Sequence, residues 1–196
     1  MKGLSITQDQ LTLLYRKGLS AAEIADKLNA SENKIVYWLD KFKIPKRSIS
    51  EAIYLKNNPK GDPFLIKEGL SPEEKYLLGL GLGIYWGEGD KTSKGKVSVS
   101  NTDPRLIQNF IEFLVRICGI KMSKLSFSLI TFNDADPEKS LVYWCKILKV
   151  SKQRFGKVIV VPPLGKGTYR RKSKYGVCTA TFSNIKLKGW IISQLK

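Results

Sequence analysis

Histidine is absent from this chain of 196 residues, and cysteine is scarce. Without histidine there is no His-ligated zinc site, no Ser-His-Asp or Cys-His catalysis, and no histidine to act as a general base. The three cysteines, Cys118, Cys145 and Cys178, are odd in number and widely spaced, and none forms a CxxC pair. This pattern argues against a disulfide framework and a zinc ribbon, and it predicts buried free thiols.

Acidic residues are missing from the last part of the chain. The whole sequence has 34 Lys and Arg against 17 Asp and Glu, a net charge of +17, and after Glu138 there are fourteen basic residues and no acidic one. This distribution favours a polyanionic partner, and nucleic acid comes first because each neutralised phosphate releases condensed counterions. An anionic membrane is disfavoured, since the basic residues are spread over strand-like and loop segments instead of following one amphipathic helix.

Long apolar runs are also missing. The apolar segments are short and interrupted, and no signal-peptide pattern follows Met1. We therefore expect no membrane association. The expected location is the cytoplasm, with association to the nucleoid when the protein is bound to DNA.

Three short helices are predicted at the start of the chain. Their N-caps are Thr7, Ser20 and Ser31, and Glu23 stands in capping-box position to Ser20. A turn around residues 29 and 30 joins the second helix to the third. This arrangement is typical of a helix-turn-helix, and residues 5–47 resemble the helix-turn-helix domains of recombinases and other site-specific DNA-binding proteins.

The third predicted helix has one apolar side and one polar side. The apolar stripe consists of Ile35, Trp38, Leu39 and Phe42. The opposite side carries the predicted contacts to the DNA major groove and phosphates, which are Asn33, Lys34, Tyr37 and Lys41. A solvated face of a protein-interaction module is the alternative. The basic segment KIPKRS that follows, with Lys46 and Arg47, is either an arm on the DNA or a linker.

The segment SPEEKYLLGLGLGIYWGEG, residues 71–89, is predicted to form a helix in spite of its glycines. Ser71 is the N-cap and Pro72 takes the first helical position. Glycine inside a helix costs about 1 kcal/mol relative to alanine. A spacing of four places Gly79, Gly83 and Gly87 on one face, where the close approach of a second helix would offset that cost. Since the chain has one such segment, a homodimer is predicted.

The end of this helix resembles the LAGLIDADG motif. In GLGIYWGEG, residues 81–89, Gly83 falls on the motif's glycine, Glu88 on its metal-binding acid and Gly89 on its final glycine. Two positions depart from the pattern: Trp86 replaces the first aspartate, and the catalytic acid is glutamate. The resemblance implies a homing-type endonuclease, in which Glu88 is the catalytic and metal-binding residue and holds Mg²⁺ together with the same residue of a second protomer.

The order of the elements that follow is also similar to that family, over about residues 71–196. Alternating and apolar patterns predict strands at 96–103, 124–132, 157–161 and 175–183. Asp103-Pro104 and Asp136-Pro137 begin two helices, and residues 185–195 form a last one. The predicted fold class is α+β: an N-terminal three-helix helix-turn-helix, followed by a LAGLIDADG-like domain with helices on one face of a mainly antiparallel sheet.

The sequence patterns also predict the domain boundaries. The helix-turn-helix domain covers residues 1–56, a linker covers 57–70, and the LAGLIDADG-like domain covers 71–196. Alternation along the strands predicts one polar sheet face, which in the family lies in the DNA major groove; Lys96 and Ser98 are candidate contacts. An ordinary solvated sheet face is the alternative. The most basic loop, 165–176, supplies the predicted phosphate contacts Lys166, Arg170, Arg171, Lys172 and Lys174.

Three functions stay open from the sequence. The first is a sequence-specific double-stranded DNA-binding protein that makes metal-dependent phosphodiester cuts. The second is a catalytically silent LAGLIDADG-like transcription regulator, which Trp86 and the added helix-turn-helix both suit. The third is an RNA-binding maturase, since some members of the family have that role. A lysine that assists catalysis is expected, but its position does not follow from the sequence.

Overall fold

The chain folds into two compact units, Met1–Pro63 and Phe64–Lys196. The computed structural model describes residues 6–93, 95–132, 135–162 and 173–196. Among these residues, no helix has both the length and the apolar character that crossing a membrane requires. Within the predicted linker 57–70, Phe64, Ile66 and Leu70 pack against the core of the second unit.

The first unit contains four helices, α1 (Gln8–Arg16), α2 (Ala21–Lys27), α3 (Glu32–Lys41) and α4 (Ile49–Asn57). The predicted N-caps Thr7, Ser20 and Ser31 are confirmed, and Ser20 and Glu23 form the predicted capping box. The first three helices bury a small aliphatic core made of Ile6, Leu11, Leu14, Ile24, Ala25, Ile35 and Leu39. The sequence patterns did not predict α4, because its apolar residues form no single buried stripe: Ile49 and Ile53 are both exposed.

The second unit is an α+β fold in which helices pack on a four-stranded sheet, as the fold class predicts. Its helices are α5 (Pro72–Glu88), α6 (Pro104–Glu112), α7 (Pro137–Leu148) and α8 (Ile185–Gln194). Its strands are β1 (Lys96–Asn101), β2 (Ser126–Phe132), β3 (Ile159–Val161) and β4 (Val177–Ser183), in the spatial order β1-β4-β2-β3. The sheet is mixed, because β4 is antiparallel to both β1 and β2 whereas β3 is parallel to β2.

Alternation along the strands separates a buried face from an open one. The buried face carries Val97, Val99, Phe127, Leu129, Cys178, Ala180 and Phe182. Helix α6 packs against this face, and its continuation Phe113–Ile117 widens into a turn of π-helix that adds Phe113, Leu114 and Ile117 to the core. The cysteines are free thiols, buried at Cys118 and Cys178 and partly buried at Cys145.

Helix α5 is held against the rest of the unit at a glycine outside the predicted stripe. A Cβ atom built at Gly81 would lie 2.1 Å from Cγ and 2.5 Å from Cβ of Phe113. Equivalent atoms built at Gly79, Gly83 and Gly87 would meet nothing within 4 Å in this chain. Gly81 therefore permits the close contact with the segment after α6, and the stripe of three glycines faces away from the core of its own unit.

We predict opposite effects of alanine at two helical glycines. Gly81→Ala should lower the free energy of unfolding by about 1–3 kcal/mol, because rotation of the Phe113 ring does not relieve a clash with Phe113 Cβ. Gly189→Ala is the matched control: it lies inside α8 with nothing within 4 Å of the added Cβ, and should stabilise by up to about 1 kcal/mol through helix propensity. Urea unfolding followed by circular dichroism measures both. Equal effects at the two positions would contradict the packing described for Gly81.

Candidate nucleic-acid interface

The exposed side of α3 carries the residues that the sequence predicts as DNA contacts. Asn33, Lys34, Tyr37 and Lys41 are all exposed. The Lys41 ammonium nitrogen lies 4.5 Å from the centroid of the Trp38 ring, which in turn stacks on Phe42 at 5.0 Å. The aromatic rings thus hold this cation close to the helix surface through a cation–π contact.

The basic segment after α3 is engaged within the first unit. Arg47 places its guanidinium carbon 3.9 Å from the centroid of the Tyr15 ring and donates to the carbonyls of Gly18 at 3.0 Å, Leu19 at 3.2 Å and Tyr15. The Tyr15 carbonyl belongs to the last turn of α1 and the other two follow the helix, so all three lie at its negative end, where a cation is favoured. Lys46 pairs with Asp40 at 2.9 Å, with both side chains exposed. Arg47 therefore holds the chain that leads into α4 and is not presented to a phosphate.

The open face of the sheet carries rows of hydroxyl groups. In one row Ser100 pairs with Thr179, which pairs with Ser128, and the Ser100 and Thr179 hydroxyl oxygens lie 2.7 Å apart. In the next row Ser98 pairs with Thr181, which pairs with Ser126. Predicted contact Lys96 is exposed beside Ser183 at the end of the sheet, whereas predicted contact Ser98 is only 8% exposed. Both rows present accessible hydroxyls, because Ser100 and Ser126 are exposed and Thr179, Thr181 and Ser128 are partly buried.

The predicted basic loop is described only at its end. Lys166, Arg170, Arg171 and Lys172 lie outside the described residues. Lys174 is exposed, with its ammonium nitrogen 5.3 Å from the centroid of the Tyr175 ring. Tyr175 stacks in parallel on Tyr143 of α7 at 3.8 Å, and its carbonyl accepts a hydrogen bond from the Trp144 indole at 2.8 Å. Lys174 is thus attached to a rigid aromatic support just before β4.

Glu88 is the last residue of α5, and its side chain is exposed. The chain after it is bonded to the edge of the sheet, because Gly89 pairs with Val99 and the Asp90 amide donates to the Ser98 carbonyl at 2.9 Å. A side chain at Gly89 would place its Cβ 2.3 Å from the Tyr85 carbonyl oxygen, so glycine is required there. The end of α5 is therefore fixed in position although the Glu88 carboxylate makes no hydrogen bond or ion pair with any described residue.

Asp90 is committed to the loop that leads into β1. Its carboxylate accepts hydrogen bonds from the hydroxyl and amide groups of Ser93 and Thr92, and these bonds hold the pKa of Asp90 well below its usual range. Asp90 consequently stays ionised and orders its own loop as an Asx turn. Of the two neighbouring acids, Glu88 is the one whose carboxylate is open to a ligand.

Lys188 is a buried cation next to this loop. Its residue is 6% exposed on α8, and its ammonium group donates to the Asp90 backbone carbonyl, which also accepts from the Tyr85 hydroxyl at 2.6 Å. Burial lowers the pKa of Lys188 and raises the pKa of Tyr85 to about 12. The sequence reading missed Lys188. The signal was its position three residues before the apolar Ile191, which places both on one side of α8.

A single chain offers an incomplete set of metal ligands. Among the described residues there is no group of three or more cysteine, aspartate or glutamate side chains that could hold an ion. Magnesium is nevertheless commonly bound through one or two carboxylates, with substrate phosphates and water supplying the other oxygens. In one chain, Glu88 supplies a single carboxylate for a site of this kind.

No protein-family model, curated protein or solved structure matches this chain. The chain is therefore described by its own structure. A helical unit precedes an α+β unit, which has hydroxyl groups on its open sheet face and an acid at the end of its glycine-rich helix.

The burial of Lys188 predicts an unusual titration. A buried ammonium group loses hydration, so the lysine should lose its proton at a pH below the ordinary lysine range. Because the folded pKa is lowered, protonation of Lys188 opposes folding. This cost is full below the folded pKa, decreases as the pH rises above it, and is gone once the pH exceeds the pKa of the unfolded chain. Lysine side-chain NMR measures the titration, with the resonance assigned by its absence in Lys188→Gln. Titration of Lys188 at or above the usual lysine pKa would show that the group is hydrated.

Proposed function

We propose that this chain is a sequence-specific double-stranded DNA-binding protein that acts, as a homodimer, as a homing-type endonuclease. The observation that carries the proposal is the position of Glu88: an open carboxylate at a fixed helix end, directly after a stripe of glycines that faces away from its own core. A structural acid has little reason to occupy the negative end of a helix dipole. Binding of a cation that is shared with a second copy and a phosphate would give Glu88 a reason to be there.

Charge and surface chemistry support DNA as the partner. The chain carries a net charge of +17, and the open sheet face presents hydroxyl groups that donate to or accept from base edges. A strand pair fits the width of the major groove. In the first unit, we propose that α2 and α3 act as a helix-turn-helix, with Asn33 reading a base edge and Lys34, Tyr37 and Lys41 contacting base edges or phosphates.

The exposed side of α5 supports the homodimer. Gly79, Gly83 and Gly87 would let a second helix approach closely. Two aromatic residues of the same helix, Tyr76 and Trp86, are 72% and 68% exposed in the single chain. Large apolar groups on a surface favour burial at an interface. A second copy that packs along this helix covers the aromatic residues and also brings the two Glu88 carboxylates together.

The proposed chemistry rests on this pair of carboxylates. The two Glu88 carboxylates would hold Mg²⁺, which would supply charge stabilisation and an activated water for phosphodiester cleavage. The chain's own contribution is to hold Glu88 in place through the bonds from Gly89 and Asp90 to β1. Lys188, held at the Asp90 carbonyl, is our candidate for the assisting lysine: it keeps a cation close to the site and fixes the loop that follows Glu88.

A DNA-binding regulator without cleavage is the second candidate. Trp86 stands where the LAGLIDADG motif has its first aspartate, and in the described part of one chain Glu88 is the single open carboxylate at the end of α5. Such a protein forms the same dimer and binds DNA through the same face, but it does not cleave the DNA. A maturase would bind RNA instead of duplex DNA. Comparing the affinity for duplex DNA with that for structured RNA at equal salt concentration distinguishes this role from the other two.

We predict that Gly83→Leu abolishes the dimer without unfolding the chain. A side chain at residue 83 meets open space in the single chain, so the unit should still fold, but the added leucine separates two packed helix backbones. Sedimentation velocity measures the association state. Gly189→Leu, equally open but on α8, is the control and should leave it unchanged. A wild-type chain that stays monomeric at high concentration on DNA would contradict the proposed dimer.

We predict that Glu88→Gln removes cleavage and keeps binding. The substitution preserves size and removes a negative charge near phosphate, so DNA affinity should stay equal or rise while Mg²⁺-dependent cutting is lost. The assay incubates the full chain with a randomised duplex library and Mg²⁺ or Mn²⁺, and scores both bound and cut sequences. Cleavage by the variant at the wild-type rate would eliminate the catalytic role of Glu88. Tight binding of a defined site by the wild type with no cutting would favour the regulator.

A further inference from the structure

The open face of the sheet carries a row of aliphatic side chains beside its hydroxyl groups. Val177 of β4 pairs with Ile130 of β2, which pairs with Ile159 of β3. Ile130 and Val177 alternate with the buried residues Leu129 and Cys178, so both lie on the open face. Ile159 is 50% exposed. We call Val177, Ile130 and Ile159 the aliphatic row.

The aliphatic row lies next to the row of Ser100, Thr179 and Ser128 along the same strands. Rows on one face are two residues apart, which is about 6.6 Å at the usual rise of a strand. Two base-pair steps of a duplex span about 6.8 Å. Rows at this spacing therefore reach different base pairs of a duplex, so each row can contact its own step.

The two rows can recognise different chemical groups. Serine and threonine hydroxyls bond to several base edges and select weakly among them. Aliphatic side chains gain nothing from polar edges, and the apolar group that a natural base pair presents in the major groove is the C5 methyl of thymine. The basic surroundings favour a nucleic acid over an apolar protein partner: Lys174 is exposed three residues before Val177, and the chain carries a net charge of +17.

We infer that the aliphatic row is a specificity determinant that reads thymine methyl groups at one end of the bound site. This inference rests on the proposed DNA-binding function and adds the base chemistry that this end of the sheet selects. Burial of one methyl group against Ile130 and Val177 should strengthen binding about four-fold. The site selected by the protein should then contain thymines, on either strand, at steps that face this row.

The test replaces thymine by deoxyuracil, which removes only the methyl group. Duplexes selected by the wild-type full chain from a randomised library are resynthesised with single deoxyuridine substitutions, and the affinity of each is measured at fixed salt without divalent metal. We expect a loss of about four-fold at one or two clustered positions and no loss elsewhere. Val177→Thr, which keeps the side-chain shape and the strand preference but replaces one of the two γ-methyl groups by a hydroxyl, should reduce the preference for thymine over uracil relative to the wild type. Val142→Thr, the same substitution at an exposed valine of α7, is the control and should keep the wild-type preference for the methyl group.

Each remaining outcome is distinguishable. If the wild type selects a site but shows no loss with deoxyuridine anywhere, the proposed DNA binding stands and this inference is wrong. If the loss persists unchanged in both Val177→Thr and Ile130→Thr, the methyl groups are read by another part of the protein. If Val177→Thr changes the association state in sedimentation instead of the preference for thymine, the row is a contact between copies of the chain. If no duplex is selected at all, the DNA-binding proposal fails, and this inference fails with it.

Discussion

The contact between Gly81 and Phe113 determines what the second unit can present to a partner. Because glycine at residue 81 lets α5 lie directly against the π-helical turn after α6, this side of α5 is buried and the opposite side must face outward. The outward side carries Gly79, Gly83 and Gly87 with two exposed aromatic residues. Helix α5 ends at Glu88, and the bonds from Gly89 and Asp90 to β1 hold that end at the edge of the sheet.

Some polar groups around that edge bond within the fold, and others stay open to a ligand. Asp90 is charged and lies two residues after Glu88. Its carboxylate accepts hydrogen bonds from Thr92 and Ser93, and its carbonyl accepts from Tyr85 and Lys188. Arg47 in the first unit is used in the same way, since three backbone carbonyls and an aromatic ring surround its guanidinium. A basic or acidic residue in a favourable sequence context is therefore not yet a ligand-binding residue; its partners in the fold decide whether its charge is still open to a ligand.

The sheet distributes the remaining recognition chemistry in rows. One face supplies the core, so the other is free to vary without loss of packing, and it changes from lysine and hydroxyl groups at one end to aliphatic groups at the other. Rows that differ in chemistry but share one spacing form a surface that can contact a regular polymer at successive steps. This arrangement is the physical basis on which we connect the α+β fold to duplex DNA.

The sequence by itself determined the local structure: Ser71 with Pro72, Asp103 and Asp136 begin helices as predicted, and alternating residues form β1, β2 and β4. These features depend on side chains bonding to nearby backbone amides and on the two-residue period of a strand, so a short window of sequence contains them. Only the tertiary structure decided that Gly81 is the packed glycine, that Lys188 is buried, that Arg47 is engaged and that Val177, Ile130 and Ile159 form one row. Each of these depends on contacts between residues far apart in the chain, whose pairing is set by the order of the strands and the packing of the helices and not by local preference.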